Sequence, residues 1–291
     1  MLISRDLKFC PRDDGLLLSA SMDCHLKIVN TNTNNIVISY TLETPSQSCE
    51  WNPEDPNYFY CGQNKCILMF DIRKTNTYVQ KLLGTQNTPA HSLHYVTPSS
   101  SSSTTSSSSS DFNVMSRGKL NAKGLIVGCP TGIWFYNSEK DYQCTQLQLP
   151  GTCTSLSLDP KSQYFLSSFR QTPSFNKPSH TVFEYAEAGS VVREIRTVHG
   201  HSPGELLTRS TLFLMSTEHD PKPSPTPQRL VAAAADEQSN QVFLWDIKVG
   251  ALIQRLPGHS SPVLDVKHFS DSTSDFITTL SDKQLFIHRL K

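Results

Sequence analysis

The sequence predicts an all-β fold, a β-propeller with six blade-like units. Helical periodicity is weak, and short runs rich in β-branched and aromatic residues, bounded by Gly, Pro, Asn, Asp and Ser, recur along the whole chain. The runs form pairs that begin at positions 17, 59, 125, 165, 230 and 276. Three of the five spacings, 42, 40 and 46 residues, are close to the ~40–45 residues of one propeller blade.

Each unit offers two consecutive strands, the second and third of a blade. In order, the predicted pairs are 17–21 with 26–30, 59–62 with 67–71, 125–128 with 133–137, 165–168 with 181–185, 230–233 with 241–246, and 276–279 with 285–288. The segments 6–11, 49–53 and 155–160 precede three of these pairs and resemble innermost strands. Residues 1–291 therefore read as one propeller domain.

The two longer spacings, 66 and 65 residues, each contain an insertion. The first, at about 97–123, holds an unbroken tract of hydroxyl residues from 99 to 110, and the second, at about 217–228, holds a proline-rich run. Neither segment has enough apolar residues to offset the entropy cost of ordering. We expect both to be disordered loops.

Short markers typical of WD-repeat propellers support this interpretation. Trp245-Asp246 is the WD dipeptide, and Gly200-His201 and Gly258-His259 match the Gly-His pair that opens such repeats. A carboxylate half buried among apolar strands needs hydrogen-bond donors, which His and Ser or Thr can supply. The residues assigned a structural role in the blades are His201, Asp236, Trp245, His259 and Asp282.

The chain begins at an innermost strand and ends three strands into its last blade. An open ring would leave unpaired strand edges, and such rings usually close by pairing an N-terminal strand with the last three strands. We therefore expect the domain to be incomplete at its N-terminus, with seven blades in the complete protein.

Charge and cysteine patterns exclude several classes of protein. Lys and Arg together number 26, as do Asp and Glu together, so the formal net charge is zero. The chain as a whole therefore has no excess positive charge that would attract nucleic acid or an anionic membrane. No apolar run approaches the ~18–20 residues of a membrane span. The eight cysteines include no Cys-x-x-Cys pair, which excludes a RING, zinc ribbon or zinc finger. They suit buried thiols in an intracellular, reducing compartment.

No pattern of residues indicates catalysis. The motif Gly-x-Ser-x-Gly and a glycine-rich phosphate loop are absent, and the pairs His91/His94 and His199/His201 are too weak to predict a metal site. Loops held by a rigid scaffold remain as a recognition surface. The candidate partner-binding face comprises Asp23, His25, Lys65, Arg170, Glu237 and Lys283.

Several stretches resemble the RING-finger and WD-repeat ubiquitin ligases that bind replication protein A. They are 15–23 with 26–27, the tyrosine-rich unit between 48 and 80, 244–246 with 250, 252 and 254, and 262–265. The resemblance implies a propeller that recognises replication protein A, a RING upstream that binds zinc and recruits a ubiquitin-conjugating enzyme, and a nuclear role at stalled replication forks and in interstrand-crosslink repair.

This chain itself lacks the RING and contributes no catalytic residue, metal or cofactor, so ligase activity is implied only for a protein that includes both parts. We expect no direct contact with nucleic acid or membrane. Two alternatives remain open: a non-enzymatic WD-repeat scaffold, and a propeller with catalysis of its own.

Overall fold

The computed structural model describes residues 4–97, 123–147, 149, 151–159, 162, 164–171, 177–186, 191–200, 208–216, 228–271 and 274–290. Across these residues 23 strands form six antiparallel sheets, which we name A to F in chain order. Sheets A to E have four strands each and sheet F has three. The predicted all-β propeller is confirmed.

Sheets A to C span the first half of the chain. Sheet A contains β1 Ser4–Cys10, β2 Asp13–Ser21, β3 His25–Asn30 and β4 Asn35–Thr41. Sheet B contains β5 Ser46–Trp51, β6 Tyr58–Gln63, β7 Cys66–Asp71 and β8 Gln80–Leu83. Sheet C contains β9 Ser92–Val96, β10 Gly124–Cys129, β11 Gly132–Asn137 and β12 Gln143–Leu147, with a 3₁₀ helix, Ser138–Lys140, before β12.

Sheets D to F complete the series. Sheet D contains β13 Cys153–Leu158, β14 Tyr164–Phe169, β15 Ser179–Ala186 and β16 Val191–His199. Sheet E contains β17 Thr211–Ser216, β18 Gln228–Asp236, β19 Gln241–Asp246 and β20 Ala251–Arg255. Sheet F contains β21 Asp265–Ser270, β22 Asp275–Leu280 and β23 Leu285–Arg289.

The six strand pairs read from the sequence are the second and third strands of the six sheets. In sheet A, for example, Leu17 of β2 lies opposite Val29 of β3. The middle strands are apolar on both faces because a sheet between two others buries both faces. All residues of β10 and the first five of β11 are buried for this reason.

Apolar clusters join successive sheets. Trp51, Phe59 and Phe70 of sheet B pack on Leu18 and Ile28 of sheet A. Equivalent clusters join B to C, C to D, D to E, and E to F. Each sheet boundary is thus built from side chains of two sheets, which makes the sheets a rigid support for the turns between strands.

The expected insertions at 97–123 and 217–228 lie almost entirely outside the described residues. Where the structure describes the chain, no helix has both the length and the apolar character needed to cross a membrane.

Candidate functional site

The turns between the second and third strands carry the candidate partner-binding residues. Asp23 and His25 lie at the turn from β2 to β3, Lys65 between β6 and β7, and Arg170 directly after β14. Glu237 follows β18, and Lys283 lies between β22 and β23. Because equivalent turns of successive blades lie on the same side of a propeller, these turns share one face of the ring. We call this the upper face.

Asp23 is largely engaged within its own turn. Its Oδ1 accepts a hydrogen bond from the His25 backbone N–H at 3.0 Å, and its Oδ2 lies 3.8 Å from Lys27 Nζ. A hydrogen bond from Ser21 holds the pKa of the Asp23 carboxyl below its ordinary value, with smaller contributions from His25 and Lys27. These contacts fix the shape of the turn.

Lys65 and Lys283 offer the more accessible charges of the upper face. Both residues are exposed, whereas Arg170 and Glu237 are half-buried. Lys65 has a positive φ of 74°, and its backbone N–H donates to the Thr88 carbonyl at 3.2 Å. The Lys65 turn is thereby held against the segment that leads into β9. Two exposed cations on rigid turns could contact acidic groups of a protein partner.

The residues assigned a structural role in the blades differ in their surroundings. His259 is buried, with Nδ1 3.1 Å from Ser281 Oγ and Nε2 2.7 Å from Thr279 Oγ1. Asp236 is also buried and accepts hydrogen bonds from the backbone N–H and the hydroxyl of Ser239, at 3.0 and 2.6 Å. Both side chains therefore satisfy buried polar atoms inside a blade.

Trp245 is buried, and its ring lies 5.5 Å from the His180 ring of the neighbouring sheet. Asp282 is exposed and accepts a hydrogen bond from Ser261, so its carboxylate is not the half-buried group expected from the sequence. His201 lies outside the described residues.

Sequence analysis missed a charged cluster in the central channel. A cavity there is lined by Asp6, Lys8, His94, Arg209 and Lys267, with Ser92, Leu93, Leu156 and Ser210. These side chains come from the innermost strands, or directly precede them, in five different sheets. The available signal was the charged residues within short innermost strands, as in Asp6-Leu7-Lys8.

Ion pairs in the channel connect different sheets. Lys8 Nζ lies 2.7 Å from Glu50 Oε2, which joins sheet A to sheet B. Arg209, just before β17, pairs with Asp6 and donates to the Arg5 carbonyl at 2.7 Å and to the Gln47 carbonyl at 3.4 Å. The Arg209 side chain therefore ties sheet E to sheets A and B.

Burial and neighbouring charges set the protonation of the cluster. Burial would raise the pKa of Asp6, but Arg209, Lys8 and Lys267 together hold that pKa below its ordinary value. Burial raises the pKa of Glu50, although Lys8 opposes the shift. For Lys267, burial lowers the pKa of the ammonium group and outweighs the opposing effect of the Asp265 carboxylate, with smaller contributions from Lys8 and Arg209. The cluster therefore holds several charges whose protonation depends on one another.

The paired histidines are used as hydrogen-bonding groups. His91 Nε2 lies 3.1 Å from the Cys153 carbonyl, and His94 Nε2 lies 3.0 Å from the Leu156 carbonyl. Both contacts fasten sheet C to sheet D. Among the described residues, no group of three or more His, Cys, Asp or Glu side chains is placed to hold a metal ion.

Comparison with known proteins gives one consistent family. Residues 3–289 match the family described as the WD40 domain of E3 ubiquitin-protein ligase RFWD3. The chain is 28% identical to that ligase from Ailuropoda melanoleuca and 27% identical to those from Mus musculus and Homo sapiens. Each comparison covers 98% of this chain and 35% of the relative, so the chain spans about a third of their length. The chain belongs to the RFWD3 WD40-domain family.

Proposed function

We propose that this chain is the partner-recognition propeller of a RING-type ubiquitin-protein ligase, and that its partner is replication protein A. Family membership carries the ligase part of the proposal, since the similar curated proteins are named E3 ubiquitin-protein ligases. The choice of partner rests on the tyrosine-rich unit between 48 and 80 and the other stretches that resemble the ubiquitin ligases that bind replication protein A.

The geometry supports a recognition role because rigid sheets present turns of varied chemistry on one face. The exposed ammonium groups of Lys65 and Lys283 would contact carboxylates of the partner. A propeller that holds the partner beside a RING would raise the effective concentration of partner lysines near the ubiquitin-charged conjugating enzyme. Recognition and ubiquitin transfer would thus reside in separate parts of the ligase.

The proposed setting is the nucleus, at stalled replication forks and during interstrand-crosslink repair. The balanced charge of the chain supports a protein partner over direct binding to DNA. Replication protein A would provide the link to single-stranded DNA.

A pull-down with purified components tests the proposal. The immobilised chain should retain replication protein A and should not retain naked single-stranded DNA. Retention of the DNA without replication protein A would contradict the proposal and favour a nucleic-acid module. Failure to retain either would favour the scaffold alternative.

Ubiquitin transfer tests the ligase part. In the full-length gene product, Lys65→Glu combined with Lys283→Glu should reduce ubiquitination of replication protein A. Autoubiquitination should persist, because that reaction requires the conjugating enzyme and not the partner. Equal loss of both reactions would contradict a separate recognition role for the upper face.

A further inference from the structure

The cavity in the central channel lies toward the upper face. Ser4, at the start of β1, lies opposite Ser21, the last residue before the turn to β3. Asp265, at the start of β21, lies opposite Leu280, which ends β22 just before the turn that carries Lys283. Because neighbouring strands run in opposite directions, each innermost strand begins at the end of the sheet where the second strand turns into the third. The cavity and the candidate partner-binding turns therefore share one face.

The side chains that line the cavity carry more positive than negative charge. Lys8, Arg209 and Lys267 are cationic, whereas Asp6 is the one carboxylate among the described residues that line it. The cavity measures about 260 Å³, including the part that is open to solvent, which is less than the ~300–1,000 Å³ of sites for drug-sized ligands. It therefore suits a single small anionic group.

Two of these three cations are already used in ion pairs. Lys8 Nζ lies 2.7 Å from Glu50 Oε2, and Arg209 pairs with Asp6 and donates to two backbone carbonyls. Lys267, by contrast, forms no salt bridge with any residue that the structure describes. Lys267 is also accessible to solvent, so a ligand can reach it from the channel. Its ammonium group is the cation that remains for a ligand.

Asp265 attracts Lys267 but does not pair with it. The two residues are two positions apart in β21 and so lie on the same face of that strand. The Asp265 carboxylate acts on both Lys267 and Arg209. Within the described part of the chain, however, no salt bridge joins it to either residue. Lys8 and Arg209 repel the Lys267 ammonium group, so an anion bound among the three cations would relieve that repulsion.

Hydrogen bonds between sheets hold the walls of the cavity in place. His94 Nε2 lies 3.0 Å from the Leu156 carbonyl, which fastens sheet C to sheet D. Ser210 Oγ lies 3.0 Å from Ser155 Oγ, and the Ser210 backbone N–H donates to the same hydroxyl at 3.0 Å, which fastens sheet E to sheet D. Because these groups are fixed before a ligand arrives, binding costs little conformational entropy.

We propose that this cavity binds the carboxylate of an Asp or Glu side chain of the protein partner, with Lys267 as its ion-pair partner and Lys8 and Arg209 as the source of additional positive potential. The assignment rests on the proposed function, in which the upper face recognises the partner. One carboxylate matches one unpaired ammonium group, whereas a phosphate group would bring about two negative charges to the same site. At the centre of the face, this contact is shielded from water by the contacts around it.

Acetylation of Lys267 tests the site without the partner. The chain is treated with an N-hydroxysuccinimide ester of acetic acid, and mass spectrometry follows Lys267 and, as the matched control, the exposed Lys81 of β8. Sodium acetate, the probe for a carboxylate, should slow modification of Lys267 about threefold or more relative to sodium chloride of equal ionic strength, because a bound anion disfavours loss of the ammonium proton. Lys81 should react at the same rate in both salts. Absence of protection by acetate, or stronger protection by sodium phosphate, would overturn a carboxylate site.

Calorimetry with replication protein A tests whether the partner uses the site. Lys267→Met should raise the dissociation constant about tenfold, whereas Lys267→Arg, which keeps the charge, and Lys81→Met should leave it nearly unchanged. Circular dichroism verifies the fold of each variant. Unchanged affinity of Lys267→Met, or equal weakening by Lys267→Arg, would overturn the assignment. Failure of the wild type to bind replication protein A would overturn the proposed function and this assignment with it, and protection of Lys267 by acetate would then show that the anion site itself is not what failed.

Discussion

Lys8 of sheet A and Glu50 of sheet B form an ion pair across the first blade boundary, with 2.7 Å between Nζ and Oε2. The two side chains are only 20% and 16% exposed, and Lys8 also acts on Asp6, which Arg209 holds from sheet E. One lysine therefore links charges from three sheets inside the channel.

Removing one member of this pair should destabilise the domain more than removing both. Lys8→Met leaves the Glu50 carboxylate in the channel without its nearest cation, and we expect a loss of about 2–3 kcal/mol in the free energy of unfolding. Lys8→Met with Glu50→Leu should recover at least half of that loss. Urea denaturation of the wild type, both single variants and the double variant measures the coupling; additive effects would show that the pair has no energetic role.

The boundary between sheets A and B also predicts a contrast between two aromatic residues. Trp51 is buried, and its Nε1 donates to the Lys8 carbonyl at 3.0 Å, so Trp51→Ala should cost about 3–5 kcal/mol. Phe9 occupies the equivalent position of sheet A but is exposed, and Phe9→Ala in residues 1–291 should change stability by about 0.5 kcal/mol or less. Thermal or urea unfolding distinguishes these outcomes, and a large loss for Phe9→Ala would contradict the exposed position of its side chain.

Acidification should destabilise the fold through its buried histidines. Burial lowers the pKa of His91 and of His180 to about 4, while unfolding returns each to a value near 6.5. Above pH 6.5 both histidines are neutral in the folded and the unfolded protein, and stability is not reduced. As the pH drops from 6.5 toward 4, only the unfolded protein takes up protons on these histidines, so the free energy of unfolding falls.

His91→Gln should therefore flatten the dependence of stability on pH within this window. Each histidine takes up about one proton on unfolding in this window, which adds up to about 1.4 kcal/mol per pH unit to the slope of the unfolding free energy against pH. His91→Gln should lose the contribution of one histidine. Denaturant unfolding at pH 7, 6, 5 and 4 gives the slope, and the exposed Asp14→Asn is a control. An unchanged slope in His91→Gln would show that His91 takes up its proton in the folded state.

The hydrogen bonds of His259 make Thr279 a structural residue of sheet F. Thr279→Val keeps the shape of the side chain but removes the oxygen that lies 2.7 Å from His259 Nε2, and the loss should be about 1–3 kcal/mol. Thr278→Val is the matched control, because its hydroxyl contacts only the Lys267 carbonyl at an exposed position. Similar losses for the two variants would contradict a special role for the His259 contacts.

Much of the fold could be predicted because strand pairs leave a strong local pattern. Leu17 and Val29, for example, belong to short apolar runs separated by a turn, and such runs repeat at the length of a blade. Asp236 ends β18 and is buried, with two hydrogen bonds from Ser239 to its carboxylate, whereas Asp282 follows β22 and is exposed. The sequence around each turn does not determine how deeply its carboxylate lies.

The charged channel could not be predicted from local patterns. Asp6, Glu50 and Arg209 are far apart in sequence and meet only because the innermost strands of different sheets converge. A strand pattern shows that a residue lies on one face but not which strand that face will contact. The exposure of Phe9 has the same origin, since a strand pattern does not show whether another sheet packs on that face of sheet A.

Binding of replication protein A by variants of the two faces tests the central claim most directly. Lys65→Glu with Lys283→Glu reverses two exposed charges on the upper face, and Lys74→Glu with Lys140→Glu does the same at turns between third and fourth strands on the opposite face. Calorimetry should give saturable binding for the wild type, a dissociation constant raised by about tenfold or more for the upper-face pair, and no change for the opposite-face pair. Absence of binding by the correctly folded wild type, or equal weakening by both pairs, would contradict recognition of this partner through the upper face.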